Sequence, residues 1–156
     1  MIKERSPVEI HSLQKLKETI KEYLDTHKLG AAIRTSAEIL STHNGQKINC
    51  LSGQCVGHTN ELNRYLEARG IPNTIVKSKN NQVHTFLKCQ TTEGEIIIDP
   101  SLGQFINYPN IFVGTLAELR AVFLSPEREF LGGTKLWAVE HDITSREEWF
   151  DILYEN

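Results

Sequence analysis

Ile10, Leu13, Leu16, Ile20, Tyr23 and Leu24 recur at intervals of about three and four, the period of one helix face. Ser6-Pro7 with Glu9 behind it supplies an N-cap, a proline at the first helical position and an acidic first turn. The pattern therefore predicts a helix opening at Ser6. His27-Lys28-Leu29-Gly30 closes it, with cations in the last turn and glycine after. A second short helix is predicted from Ala31 to Leu40. The polar run 41–49, which holds Asn44-Gly45, reads as a loop. Leu62, Tyr65 and Leu66 then mark a helix from Cys55 to Ala68, ended by Gly70 and barred from continuing by Pro72.

Beyond Pro72 the apolar runs are short and β-like. Asn73–Ser78, Val83–Gln90 and Glu95–Asp99 read as strands, with turns at Asn80-Asn81 and Glu93-Gly94. Together they predict an antiparallel meander. The stretch 101–114 reads as irregular, and Thr115 caps a short helix from Leu116 to Leu124 that breaks at Ser125-Pro126. Residues 136–143 read as a further strand, and Ser145 with Glu148 resembles a capping box opening a terminal helix. The order of elements predicts an α+β fold, a helix packed on an antiparallel sheet.

The length of 156 residues predicts one domain, with a helical N-terminal part over 1–45 and a core over 49–105. Hydrophobic residues at 39% and charged residues at 24% are the balance of a soluble chain that can bury a core without staples. A net charge of -3 supplies no global basic field for nucleic acid or anionic lipid. No apolar stretch approaches the roughly 18 residues of a membrane span. The charged N-terminus lacks the apolar core and cleavage site of a secretory signal, which leaves export by another route open. Three cysteines, an odd count, argue against a disulfide framework. Cys50 and Cys55 have no third and fourth ligand clustered near them, so neither a zinc site nor another cofactor is expected.

Cys55 stands at the mouth of its helix rather than within the apolar stripe. There the helix dipole and free backbone N–H groups favour thiolate, the nucleophilic form. A histidine can accept the thiol proton and later protonate a leaving amine, and a carboxylate can fix the tautomer of that histidine. His84 starts one predicted strand and Asp99 ends the next. Antiparallel pairing through the Glu93-Gly94 turn would set the two side by side if they share a face. Cys50 is the competing nucleophile on the same loop, and His58 the competing base one turn into the helix. Cys89 is in phase with Thr85 and Leu87 on a strand and reads as structural.

These residues resemble the transglutaminase-like and papain-like cysteine enzymes. The likeness rests on Gly53-Gln54-Cys55, the helix ending Gly70-Ile71-Pro72, His84-Thr85-Phe86 and Asp99-Pro100-Ser101, and spans residues 49–105. The chain departs from the family in having Thr85-Phe86 where Ala-Trp often follows the histidine, and it has no evident calcium loop. Downstream, Asp99-Pro100-Ser101-Leu102-Gly103-Gln104-Phe105 and then Ile111–Thr115 are similar to the papain-fold protein-glutamine deamidase toxins. These include the deamidase domain of Pasteurella toxin and related bacterial effectors. The resemblance implies a papain-like fold and a Cys55–His84–Asp99 triad. In this chemistry the cysteine attacks a glutamine side-chain amide, ammonia leaves, and water hydrolyses the thioester to glutamate. It also implies a protein substrate, such as a host regulatory protein, and delivery into a host or competitor cell. It assigns no role to Gln104. An oxyanion hole would use the Cys55 backbone N–H, with Asn49 or Gln54 as side-chain donor. Papain-like enzymes often carry glutamine six residues before the nucleophile, where this chain has Asn49. A cysteine protease or a transglutaminase on the same triad, or an inactive binding module, are the alternatives.

Overall fold

The computed structural model describes residues 10–27, 55–78, 84–108, 110–130 and 145–154, and the backbone of 40–43 and 46–49; the side chain of Cys55 is outside it. Four helices and six strands lie among the described residues. They are α1 (Leu13–Thr26), β1 (Leu40–His43), β2 (Gln46–Asn49), α2 (Cys55–Ala68), β3 (Thr74–Lys77), β4 (Thr85–Thr91), β5 (Gly94–Asp99), β6 (Phe112–Gly114), α3 (Leu116–Phe123) and α4 (Arg146–Tyr154), with a 3-10 turn at Leu102–Gln104. The main sheet has the order β3-β4-β5-β6, antiparallel throughout. The α+β expectation and the antiparallel meander are therefore met. No helix among the described residues is long and apolar enough to cross a membrane.

Several elements differ from expectation. α1 starts at Leu13 rather than at Ser6, because Ser12 caps it: the Ser12 hydroxyl accepts from the Lys15 N–H at 3.1 Å. The Leu13 N–H donates to the Glu93 carboxylate at 2.8 Å, and the Thr92 N–H donates to the His11 carbonyl at 3.0 Å. The β4–β5 turn thus fixes where the first helix begins. The run 41–49 is not a loop but mostly a hairpin, in which Leu40 pairs with Asn49 and His43 with Gln46. Its strands are two residues apart, at Asn44-Gly45, the dipeptide whose tolerance of positive φ favours tight hairpins. The N-terminal part is therefore not helical throughout, and Leu40 is strand; 31–39 lie outside the described residues. So does the strand expected at 136–143. The stretch 101–114 is less irregular than it reads, since it holds the 3-10 turn and β6, which pairs with β5.

α2 runs over the residues its pattern predicts. It ends in a Schellman motif: the Ile71 N–H donates to the Leu66 carbonyl and the Gly70 N–H to the Glu67 carbonyl, both at 3.0 Å. Gly70 takes a φ of 73°, a conformation that glycine adopts without steric cost. α3 opens on a reciprocal capping box between Thr115 and Glu118. At α4 the Glu148 N–H donates to the Ser145 hydroxyl at 3.1 Å.

Helices cover both faces of the sheet, not one. Leu87, Cys89, Ile96 and Ile98 pack beneath Leu16, Ile20 and Tyr23 of α1 and Leu62, Tyr65 and Leu66 of α2. Val76, Phe86, Ile97 and Phe112 pack beneath Leu119 and Phe123 of α3 and Trp149, Phe150, Leu153 and Tyr154 of α4. Both sides being buried, β5 reads as an unbroken apolar run, Ile96-Ile97-Ile98, rather than an alternating one.

Candidate active site

Asp99 lies in a row of side chains that crosses the sheet. Val76 pairs with Phe86, and Asp99 with Phe112. Continuing the β4–β5 register by one residue sets Phe86 opposite Asp99. His84, two residues before Phe86, points to the same face. The histidine and the carboxylate are therefore diagonal neighbours rather than directly opposed, within reach of a long ring side chain. His84 Nε2 lies 2.6 Å from Asp99 Oδ2, and both side chains are fully buried.

Four donors from three residues converge on this carboxylate, the weakest being the Ser101 hydroxyl at 3.5 Å from Oδ1. Besides His84, the Tyr154 hydroxyl donates to Oδ2 at 2.6 Å and the Ser101 backbone N–H donates to Oδ1 at 2.9 Å. Burial of a carboxylate costs several kcal/mol unless such bonds offset it. With Nε2–H given to Asp99, the basic lone pair of His84 is on Nδ1. Gln104 places its amide nitrogen 3.3 Å from that atom. Phe86 stacks on the imidazole with centroids 5.8 Å apart, while Phe105 and Tyr154 meet it edge-on at 4.8 Å and 5.3 Å. This aromatic wall keeps water from the histidine–carboxylate bond and so strengthens it.

α2 approaches the pair from the other face of the sheet. The Thr59 hydroxyl donates to the Thr85 carbonyl at 3.1 Å, a buried bond. Cys55 is the first residue of α2, one turn before Thr59. The helix N-terminus thus reaches the end of β4 at which His84 stands. On the far side of His84, the Ser78 N–H donates to the His84 carbonyl at 2.9 Å, while its hydroxyl lies between the His84 and Leu153 carbonyls at 3.1 Å and 3.0 Å, with one proton to share between them.

The remaining expected residues fall as follows. Asn49 ends β2, which runs beside the 3-10 turn that carries Gln104. The side chain of Asn49, like Cys50 and Gln54, lies outside the described residues. His58 is buried, its Nδ1 has no hydrogen-bond partner among the described residues, and burial holds its pKa below the usual histidine range. Cys89 is buried in the core, donates weakly to the Pro72 carbonyl, and burial pushes its thiol pKa up. That is the environment of an inert cysteine.

Sequence reasoning missed the contacts of Gln104 and Tyr154. Gln104 stood out in the run after Asp99-Pro100 without a role. Tyr154 carried no signal at all, being 55 residues from Asp99 on a separate helix. Compared with family models, curated proteins and solved structures, the chain matches none of them.

Proposed function

We propose that this chain is a cysteine-dependent amidohydrolase that converts a glutamine of a target protein to glutamate, with Cys55 as nucleophile, His84 as acid–base and Asp99 as orienting carboxylate. The observation that carries the reading is the buried 2.6 Å His84–Asp99 bond at the end of β4, next to Thr85, whose carbonyl is bonded by Thr59 of the helix that Cys55 opens. Glutamine as the substrate follows from the resemblance of Asp99–Phe105 and Ile111–Thr115 to the protein-glutamine deamidase toxins.

The chemistry runs through a thioester. The Cys55 thiol gives its proton to His84 Nδ1, displacing the Gln104 amide from that atom, and Asp99 stabilises the imidazolium through Nε2–H. The sulfur attacks the amide carbonyl, and the oxyanion is held by the Cys55 backbone N–H with Asn49 or Gln54 as second donor. Imidazolium protonates the departing nitrogen, so ammonia leaves as the C–N bond breaks. His84 then takes a proton from water, hydroxide attacks the thioester, and the C–S bond breaks to give glutamate and the free thiol.

The test is incubation with glutamine-bearing protein substrates, followed by ammonia assay and intact mass. A gain of about one dalton with ammonia release, absent in a folded Cys55→Ala variant, is expected on this thioester route. Cleaved fragments would indicate a protease, and crosslinks or amine adducts a transglutaminase. Undiminished activity in Cys55→Ala would end the reading.

A further inference from the structure

The last turn of α4 bears on His84 from two directions. Tyr154 gives its hydroxyl to Asp99 Oδ2, the same oxygen that takes the His84 Nε2–H bond, and lays its ring edge-on to the imidazole at 5.3 Å. Its neighbour Leu153 offers its carbonyl to the Ser78 hydroxyl at 3.0 Å, and Ser78 in turn holds the His84 carbonyl. One end of one helix therefore fastens both the backbone of the histidine and its carboxylate partner. The other end is anchored too: the Arg146 guanidinium donates to the Ser125 carbonyl at 3.1 Å, and Trp149 and Phe150 fill the core between.

From this we infer that Tyr154 is a positioning residue of the reaction, holding Asp99 in the rotamer that orients His84. The inference rests on the proposed role of Cys55, His84 and Asp99, and adds a fourth side chain to it. Two donors share one carboxylate oxygen, so the phenol sets both where that oxygen lies and how strongly it binds the imidazole. Removing the hydroxyl leaves Asp99 held only by Ser101 at Oδ1 and by His84 at Oδ2, so the carboxylate shifts and the geometry of its bond to the imidazole changes.

The experiment compares the full chain with Tyr154→Phe, which keeps the ring. Two readouts need no known substrate: the His84 Nε2–H resonance in proton–nitrogen spectra, and the iodoacetamide alkylation rate of Cys55 measured by peptide mass spectrometry. The His84 proton is expected to move downfield. Cys55 alkylation is expected to slow about tenfold, the size of one hydrogen bond to a charged group, while Cys89 keeps its rate. If Tyr154→Phe does not fold, 3-fluorotyrosine replacing Tyr154 keeps the contact with a stronger donor. It should then move the His84 proton the other way. An unmoved His84 proton, or a shifted one with Cys55 reacting as before, would overturn the inference alone. A parent Cys55 whose rate is indifferent to His84→Ala would overturn the proposed function and the inference with it.

Discussion

Tyr23 on one face of the sheet and Tyr154 on the other are both buried, and they are treated differently. On the α1–α2 face Tyr23 is fully buried among Leu16, Ile20, Leu62 and Leu66, and its hydroxyl has no hydrogen-bond partner among the described residues. Burial, with Glu61 and Tyr65 adding to it, pushes its pKa up to about 12. On the α3–α4 face Tyr154 is as deeply buried, but its hydroxyl is on Asp99. The first face carries a polar atom as a local cost of filling space. The second places donors around an acceptor that would otherwise be a lone buried charge. On the proposed reading, the chemistry belongs where His84 and Tyr154 give their donors to Asp99, and the aromatic packing there removes water from that bond.

The largest break in this contrast should come from Asp99→Asn. It leaves the packing volume unchanged but supplies no negative partner for the His84 Nε2–H, so the ring is free to take the wrong tautomer. Cys55-dependent turnover should fall by about 10² to 10⁴-fold. Ammonia release under saturating substrate measures it.

Next come truncations of the two cores. Leu62→Ala beneath α2 and Phe123→Ala beneath α3 each remove a fully buried side chain and should each lower unfolding free energy by about 2–5 kcal/mol. Urea unfolding checks both. The distinction between the faces lies in a second readout. Phe123 touches the rings of Phe105 and Tyr154, which wall His84. Phe123→Ala should therefore perturb the His84 ring resonances under conditions where the protein is still folded, and Leu62→Ala should not.

The smallest effects come from the tyrosine hydroxyls themselves. Tyr154→Phe should cost about 1.5–3 kcal/mol, the worth of a bond to a charged group, whereas Tyr23→Phe should be neutral or stabilising at pH 7. The two also differ at alkaline pH. The folded pKa of Tyr23 is raised above its ordinary value of 10. Its contribution to stability is therefore fully present below pH 10 and is lost as pH rises through about 12. Tyr23→Phe should flatten the stability curve between those two values, which denaturant titrations across that range would show.

How much of this was legible in the sequence depends on how local the cause is. α2 and its end were readable because Leu62, Tyr65, Leu66 and Gly70 act within their own helix. The meander was readable because Glu93-Gly94 makes its own turn. The start of α1 was not, because the Glu93 carboxylate, 80 residues away, helps decide it. The 40–49 hairpin was open to reading through Asn44-Gly45, but polarity outweighed the turn signal. His84 and Asp99 are picked out by strand order and by the resemblance of the residues that follow them, and their register is two residues off the direct opposition expected. Tyr154 and Gln104 reach the same pair from distant elements or with no assigned role, and only the packing of α4 and the 3-10 turn brings them in.

The central claim is that the buried His84–Asp99 pair activates the thiol at the head of α2. The most direct measurement is the second-order rate of Cys55 alkylation by iodoacetamide at neutral pH, set against free glutathione and repeated in His84→Ala. The account predicts that Cys55 reacts faster than glutathione and loses that advantage when His84 is removed. A Cys55 rate at or below that of glutathione, unchanged in His84→Ala, would contradict it.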